Sequence, residues 1–94
     1  MVQVKFFGHF AEIMGERILW IKIGADNTIG CLLTELDRKS NGKFKEALIN
    51  SVAGKIHPYI KILVNGRDIT FLKNLETRLK DNDVIAIIPP IAGG

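Results

Sequence analysis

The sequence predicts an α+β fold in which a mixed sheet is covered on one face by a single main helix. Three observations predict it. Val2, Val4 and Phe6 alternate with Gln3 and Lys5 at the start of the chain, the period-two pattern of a half-buried strand. Ile29, Leu32, Leu33 and Leu36 fall at i, i+3, i+4 and i+7, the stripe of an amphipathic helix. Val84 to Ile88 is an almost unbroken apolar run near the end, the composition of a central strand buried on both faces.

The remaining elements follow in order. Gly8 and Gly15 bracket one helical turn around Phe10 to Met14. Residues 17–23 alternate again, with Leu19, Ile21 and Ile23 on the expected core face, so they form an antiparallel hairpin with the first strand. Gly24 to Asn27 breaks that strand. Thr28, with Asp26 as its rival, supplies the oxygen that caps the main helix over 28–40, and Asn41-Gly42 stops it. Phe44, Ala47 and Leu48 predict a short second helix, and residues 50–59, holding Gly54 and Pro58, a loop. Residues 60–64 read as a strand, Asn65-Gly66 as a tight turn and Arg67 to Thr70 as a short return strand. Leu72, Leu75 and Leu79 are spaced as core anchors, and Asp81-Asn82-Asp83 marks a turn into the last strand. Strand, strand, helix, strand, short strand, strand, with the first and last as parallel central neighbours, is the β-grasp arrangement. One domain over 1–94 is expected, with 89–94 as an extended, flexible Gly-Gly tail.

Composition narrows the function. With 94 residues and a net charge of +3, the chain suits one compact domain. Arg38, Lys39, Lys43 and Lys45 form a weak basic cluster, sparser than the aromatic-bearing stripe of a phosphate-backbone binder, which reads as a solvated face and not as a nucleic-acid site. No apolar run nears the ~20 residues that span a bilayer. The start lacks the basic-then-apolar order of a signal peptide, and a single cysteine excludes an internal disulfide. A cytoplasmic setting with no membrane and no nucleic-acid partner is expected.

The last six residues carry the chemistry. Pro89-Pro90 cannot continue a hydrogen-bond ladder, so the strand ends there and the exit is stiffened. Ile91 and Ala92 lead to Gly93-Gly94, which have almost no side-chain bulk. Six extended residues reach about 20 Å. A stiff base with a thin tip suits entry into a narrow active site of another protein. The arm is expected to pack against nothing in the body.

The run Leu79 to Gly94, ending Pro-Pro-Ile-Ala-Gly-Gly, resembles the C-terminus of the MoaD family within the MoaD/ThiS ubiquitin-like sulfur carriers. Leu63-Val64-Asn65-Gly66-Arg67-Asp68-Ile69 and Val4-Lys5-Phe6-Phe7 with Phe10-Ala11-Glu12 are similar to that family's third-strand turn and opening. Asn82 departs from the common turn glycine, and residues 42–58 are less typical. The resemblance implies a small subunit of molybdopterin synthase. An ATP-dependent activating enzyme, similar to those acting on ubiquitin, adenylates the Gly94 carboxylate. A sulfur donor enzyme supplies persulfide sulfur, and the thiocarboxylate serves the synthase large subunit in molybdenum (or tungsten) cofactor biosynthesis. Gly94 is then the reacting residue, Gly93 gives clearance, and Pro89, Pro90, Ile91 and Ala92 position it. No cofactor is bound by the chain, and ATP belongs to the activating enzyme. Protein modification through Gly94 at lysines, and sulfur transfer to thiamine or tRNA, share the same activation step.

Other residues carry weaker signals. Cys31, beside Leu32 and Leu33, reads as a small buried hydrophobe. His9 and His57 have no metal-ligand spacing, so no metal is expected. Phe7, Ile18 and Trp20 would share the outer face of the first hairpin as a partner patch.

Overall fold

The computed structural model describes residues 1–50 and 55–90. Strands β1 (Val2–Phe6) and β7 (Val84–Ile88) lie side by side and parallel at the centre of a five-stranded sheet. β2 (Ile18–Ile21) pairs antiparallel outside β1, while β5 (Lys61–Val64) and then β6 (Arg67–Asp68) lie beyond β7, giving the order β2-β1-β7-β5-β6. The short helix α1 (His9–Met14) joins the first two strands. The main helix α2 (Ile29–Lys39) and α3 (Lys43–Leu48) follow β2.

The expected stripe faces inward: Ile29, Leu32, Leu33 and Leu36 are buried with Val2, Val4, Phe6, Ile85 and Ile87 of the central strands. Thr28 is the helix cap, its Oγ1 accepting from the Cys31 N–H at 3.2 Å. Asp26 instead lies 3.7 Å from Arg78 at the surface. Phe10 and Phe44 meet in the core with ring centroids 5.5 Å apart.

Four expectations need correction. Residues 50–59 are not all loop: β3 (Ile49–Asn50) and β4 (Lys55–Ile56) pair as a small antiparallel ladder. Each strand is two residues long, too short to register as an alternation. Gly54 lies outside the described residues. The return strand β6 stops at Asp68, because the Asp68 side chain accepts from the Thr70 N–H at 2.9 Å and turns the chain into a 3₁₀ turn, Ile69–Phe71. Leu79 is buried and Leu72 partly so, but Leu75 is exposed on a second 3₁₀ turn, Asn74–Glu76. β7 is buried on one face only: Ile85 and Ile87 point under the helix, and Val84, Ala86 and Ile88 are half-covered on the other side. Among the described residues no helix covers that outer face, so apolar composition overstated the burial. Leu19 and Ile23 are likewise half-buried, with Ile21 buried between them.

Asparagines supply the left-handed corners. Asn65 and Gly66 have φ of 52° and 84°, the two positive values of the predicted tight turn, and Asn82 has φ 70° where a glycine was expected. The Asn65 side chain reaches across to β7, accepting from the Val84 N–H and donating to Asp83, both at 2.9 Å. Asp83 also accepts from the Lys80 N–H at 2.8 Å. The 81–83 turn is thus a bonded clamp at the start of β7. Among the described residues no helix is long and apolar enough to cross a membrane.

Candidate functional site

The last strand delivers the chain to its tail. At its end the Phe7 N–H donates to the Ile87 carbonyl at 3.2 Å, so β7 is still tied to the β1 side two residues before the prolines. Gly8 then turns with φ 54° and ψ −131° into α1. It leaves room for the next residue of the partner strand: a Cβ at Gly8 would lie 2.9 Å from Cγ of Pro89. Pro89 is half-buried there, and Pro90 is exposed. The base of the arm therefore does pack on the body, contrary to expectation. Ile91, Ala92, Gly93 and Gly94 lie outside the described residues.

The candidate partner patch is exposed as expected. Phe7 is 47% exposed, Ile18 46% and Trp20 56%. Ile18 sits opposite Lys5 and Trp20 opposite Gln3, which puts both on the uncovered face. Phe7 and Ile18 line one open groove with Lys5, Gly8 and Arg17. The apolar surface continues beyond these three. Lys5 pairs with Ala86, Ala86 with Leu63, and Ile88 with Lys61. Alternation read within β7 alone would have found Val84, Ala86 and Ile88, but an expectation of two-sided burial hid them. Gly8 had no sequence signal beyond its place before a helical turn, since its role depends on a residue 81 positions away.

Charges frame this face. Lys61 Nζ lies 3.4 Å from Asp68. The Asp68 carboxyl is held below the ordinary carboxylate range, first by the Thr70 N–H, then by the Thr70 hydroxyl and Lys61.

Cys31 is not buried. It lies on the solvent side of α2, two residues after Ile29, where the stripe skips. Hydrogen bonding to Thr28 holds its thiol below the ordinary value. His9 contacts Glu12 at 3.4 Å, and the His57 ring meets that of Tyr59 at a tilt of 48°, both locally. Among the described residues no group of His, Cys, Asp and Glu could hold a metal. On the helical side, Arg38 and Lys39 both approach Glu35, consistent with a solvated face.

Residues 4–94 match the ThiS family. This chain belongs to the ThiS family. It has the ubiquitin-like β-grasp fold of the sulfur carriers. It is 31% identical over 93 residues to small archaeal modifier protein 3 of Haloferax volcanii, covering 99% of this chain and 98% of that one. It is 32% identical over 68 residues to the sulfur carrier protein CysO of Mycobacterium tuberculosis, covering 72% and 73%. The structure of a putative molybdopterin converting factor, subunit 1, from Pyrococcus furiosus superposes with a TM-score of 0.76 at 27% identity, covering 96% of this chain and 97% of that one. These three ThiS-type relatives bear three different functional names, so family membership fixes the carrier or modifier class and leaves the acceptor open.

Proposed function

We propose that this ThiS-family chain is a sulfur carrier that works through its Gly94 carboxylate, and that it is the small subunit of molybdopterin synthase. A carboxylate resists nucleophilic attack, so an activating enzyme first joins it to AMP from ATP and releases pyrophosphate. The terminal sulfur of a donor enzyme's persulfide displaces AMP, and a thiol then cleaves the S–S bond to leave a thiocarboxylate. The large synthase subunit takes that sulfur for a pterin precursor. The chain's own contribution is placement. The observation that supports this reading is the seat of Pro89 on Gly8, which fixes where the chain leaves the sheet. The Phe7, Ile18 and Trp20 face is the surface on which the activating enzyme and the large subunit dock.

A second reading has a specific observation behind it. A relative that covers 99% of this chain is named a modifier, which favours attachment of Gly94 to lysines of other proteins. One experiment separates them. The tagged chain is recovered from its native cells and its intact mass is measured. Exchange of one terminal oxygen for sulfur, with a large synthase subunit co-purifying, supports the first reading. A ladder of high-mass conjugates without thiocarboxylate overturns it in favour of the second.

A further inference from the structure

Strand β2 closes the five-stranded sheet on one side, and the opposite edge, β6, is only two residues long. Edge strands are commonly blunted by charge, proline or a bulge, because their free N–H and C=O groups invite another strand. β2 reads Ile18-Leu19-Trp20-Ile21, without charge or proline, and its register with β1 runs without a bulge. The phase of its hydrogen bonds follows from β1. Gln3 and Phe7 donate to the β7 side, at Asp83 and Ile87, whereas Phe6 donates to the Arg17 carbonyl at 2.8 Å. Even-numbered residues of β1 therefore bond to β2, and Leu19 and Ile21, opposite Val4 and Val2, turn their amides inward. The N–H and C=O of Ile18 and Trp20 point the other way, out of the sheet edge. The Ile18 and Trp20 side chains stand exposed on the outer face, and Leu19 is half-buried on the inner one.

We propose that β2 pairs with β2 of a second copy of the chain, antiparallel about a two-fold axis through Leu19, so that two five-stranded sheets become one. Bond phase and charge together select this register. Only even-numbered residues of β2 present their amides outward, so hydrogen-bonded pairs must match even with even. With Leu19 opposite Leu19, Ile18 faces Trp20 of the second copy. That pair exchanges both of its N–H···O bonds, and the axis repeats it. A β-branched and an aromatic side chain then meet on the outer face, a favourable cross-strand pair. Two positions further along, Glu16 faces Lys22 of the second copy, and both are exposed in the protomer. Centring on Trp20 instead would set Glu16 against Gly24 and Lys22 against Ile18. Centring on Ile18 would set Glu16 against Trp20. Of these three registers, only the Leu19 axis pairs opposite charges. It also brings the half-buried Leu19 side chains together on the inner face. The edge is thus self-complementary, as a two-fold interface requires. So short a ladder belongs with interfaces below about 1,200 Å², so the association is weak and reversible. The net charge of +3 opposes it only mildly once salt of about 0.15 M screens the two copies. The inference goes beyond the proposed function and does not rest on it, since Gly94 takes no part.

The test uses the full chain in sedimentation velocity from about 10 μM to about 1 mM, in about 0.15 M salt. The wild-type chain is expected to pass from monomer to dimer. Glu16→Lys and Lys22→Glu each set like charges opposite one another at both ends of the ladder. Each is expected to weaken dimerisation about tenfold while melting like the wild type, because both side chains are exposed in the protomer. Mixed in equal amounts, the two variants restore opposite charges at both ends, and should pair about tenfold more tightly than either does with itself. Amide hydrogen exchange reads the bond phase. The Ile18 and Trp20 N–H groups should become protected as concentration rises, whereas Leu19, bonded to β1, should be protected throughout. A wild-type chain monomeric at about 1 mM overturns the proposal. So does a dimer undiminished by both charge reversals, or a mixture that associates no better than its parts. Exchange at Ile18 and Trp20 that is independent of concentration, in a chain that dimerises, would place the contact elsewhere and overturn it too.

Discussion

The Pro89 ring rests on the backbone of Gly8, where a Cβ would come within 2.9 Å of Cγ. Gly8 also holds φ 54° and ψ −131°, a combination that an L side chain does not adopt without strain. Gly8→Ala is therefore expected to cost about 1–3 kcal/mol and to shift the base of the arm. Adding Pro89→Ala should recover the part due to the collision and leave the part due to backbone strain. Thermal melts of both variants, with pyrophosphate exchange on an activating enzyme, check this. A Gly8→Ala chain that melts and exchanges like the wild type would show that the contact does not matter.

The helix stripe makes a graded prediction. Leu36 is fully buried and Leu33 is 8% exposed, lining the small cavity beside α3. Leu36→Ala should fall near the upper end of the about 2–5 kcal/mol typical of such truncations, and Leu33→Ala near the lower end. Equal losses in denaturant titrations would mean that the two positions pack alike.

Asp68 gives the fold a dependence on acid. Its carboxyl is depressed in the folded chain, mainly by the Thr70 N–H. A depressed carboxyl contributes stability that is present above its unfolded value of about 3.9 and is lost as pH falls through its folded value. The melting temperature should drop more steeply below about pH 4 for the wild type than for Asp68→Asn, and the two curves should converge at the acid end. A constant gap between them down to about pH 2 would assign the effect to other groups.

Trp20 tests the outer face. It is 56% exposed, so Trp20→Ala should leave the melt within about 0.5 kcal/mol of wild type. As a central aromatic of a docking surface it should weaken binding to the activating enzyme or the large subunit by about 2 kcal/mol or more. Undiminished affinity in a folded variant would remove this face from the partner interface.

What could be read in advance was what a short repeat encodes. Val2, Val4 and Phe6 declared a strand and Ile29 to Leu36 a helix, because burial on one side imposes a period that survives in a single sequence. The Pro-Pro-Ile-Ala-Gly-Gly end suggests an arm by its loss of bulk, and only its first two residues, Pro89 and Pro90, are among those described. The features that escaped depend on what lies across space. β3 and β4 exist only as each other's partners over two residues each. Cys31 beside Leu32 looks apolar in sequence, yet the helix turns it about 100° per residue away from the stripe. Leu75 has the spacing of a core residue, but the two 3₁₀ turns break the register and put it on a cavity wall. The seat of Pro89 on Gly8 joins the two ends of the chain, and no local pattern could announce it.

The decisive variant is the shortest. If Gly94 is the acyl group, its carboxylate must sit at a fixed distance from the Pro89 seat. Deleting Gly94 draws the carboxylate back by about 3.5 Å, and a misplacement near 1 Å already costs about a hundredfold in a positioned reaction. Deletion of Gly94, or addition of one residue after it, should therefore abolish adenylation, read as ATP–pyrophosphate exchange. Gly93→Val should do so as well, since a β-branched side chain widens the tip that must enter the activating enzyme. All three should melt like the wild type, because the change lies at least four positions past Pro89, the residue seated on Gly8. This sets them apart from Gly8→Ala, which should lose both stability and exchange. Near wild-type exchange by the Gly94 deletion would mean that the carboxylate is not the substrate of activation. The chain would then be a β-grasp binding domain whose glycine tip does no chemistry.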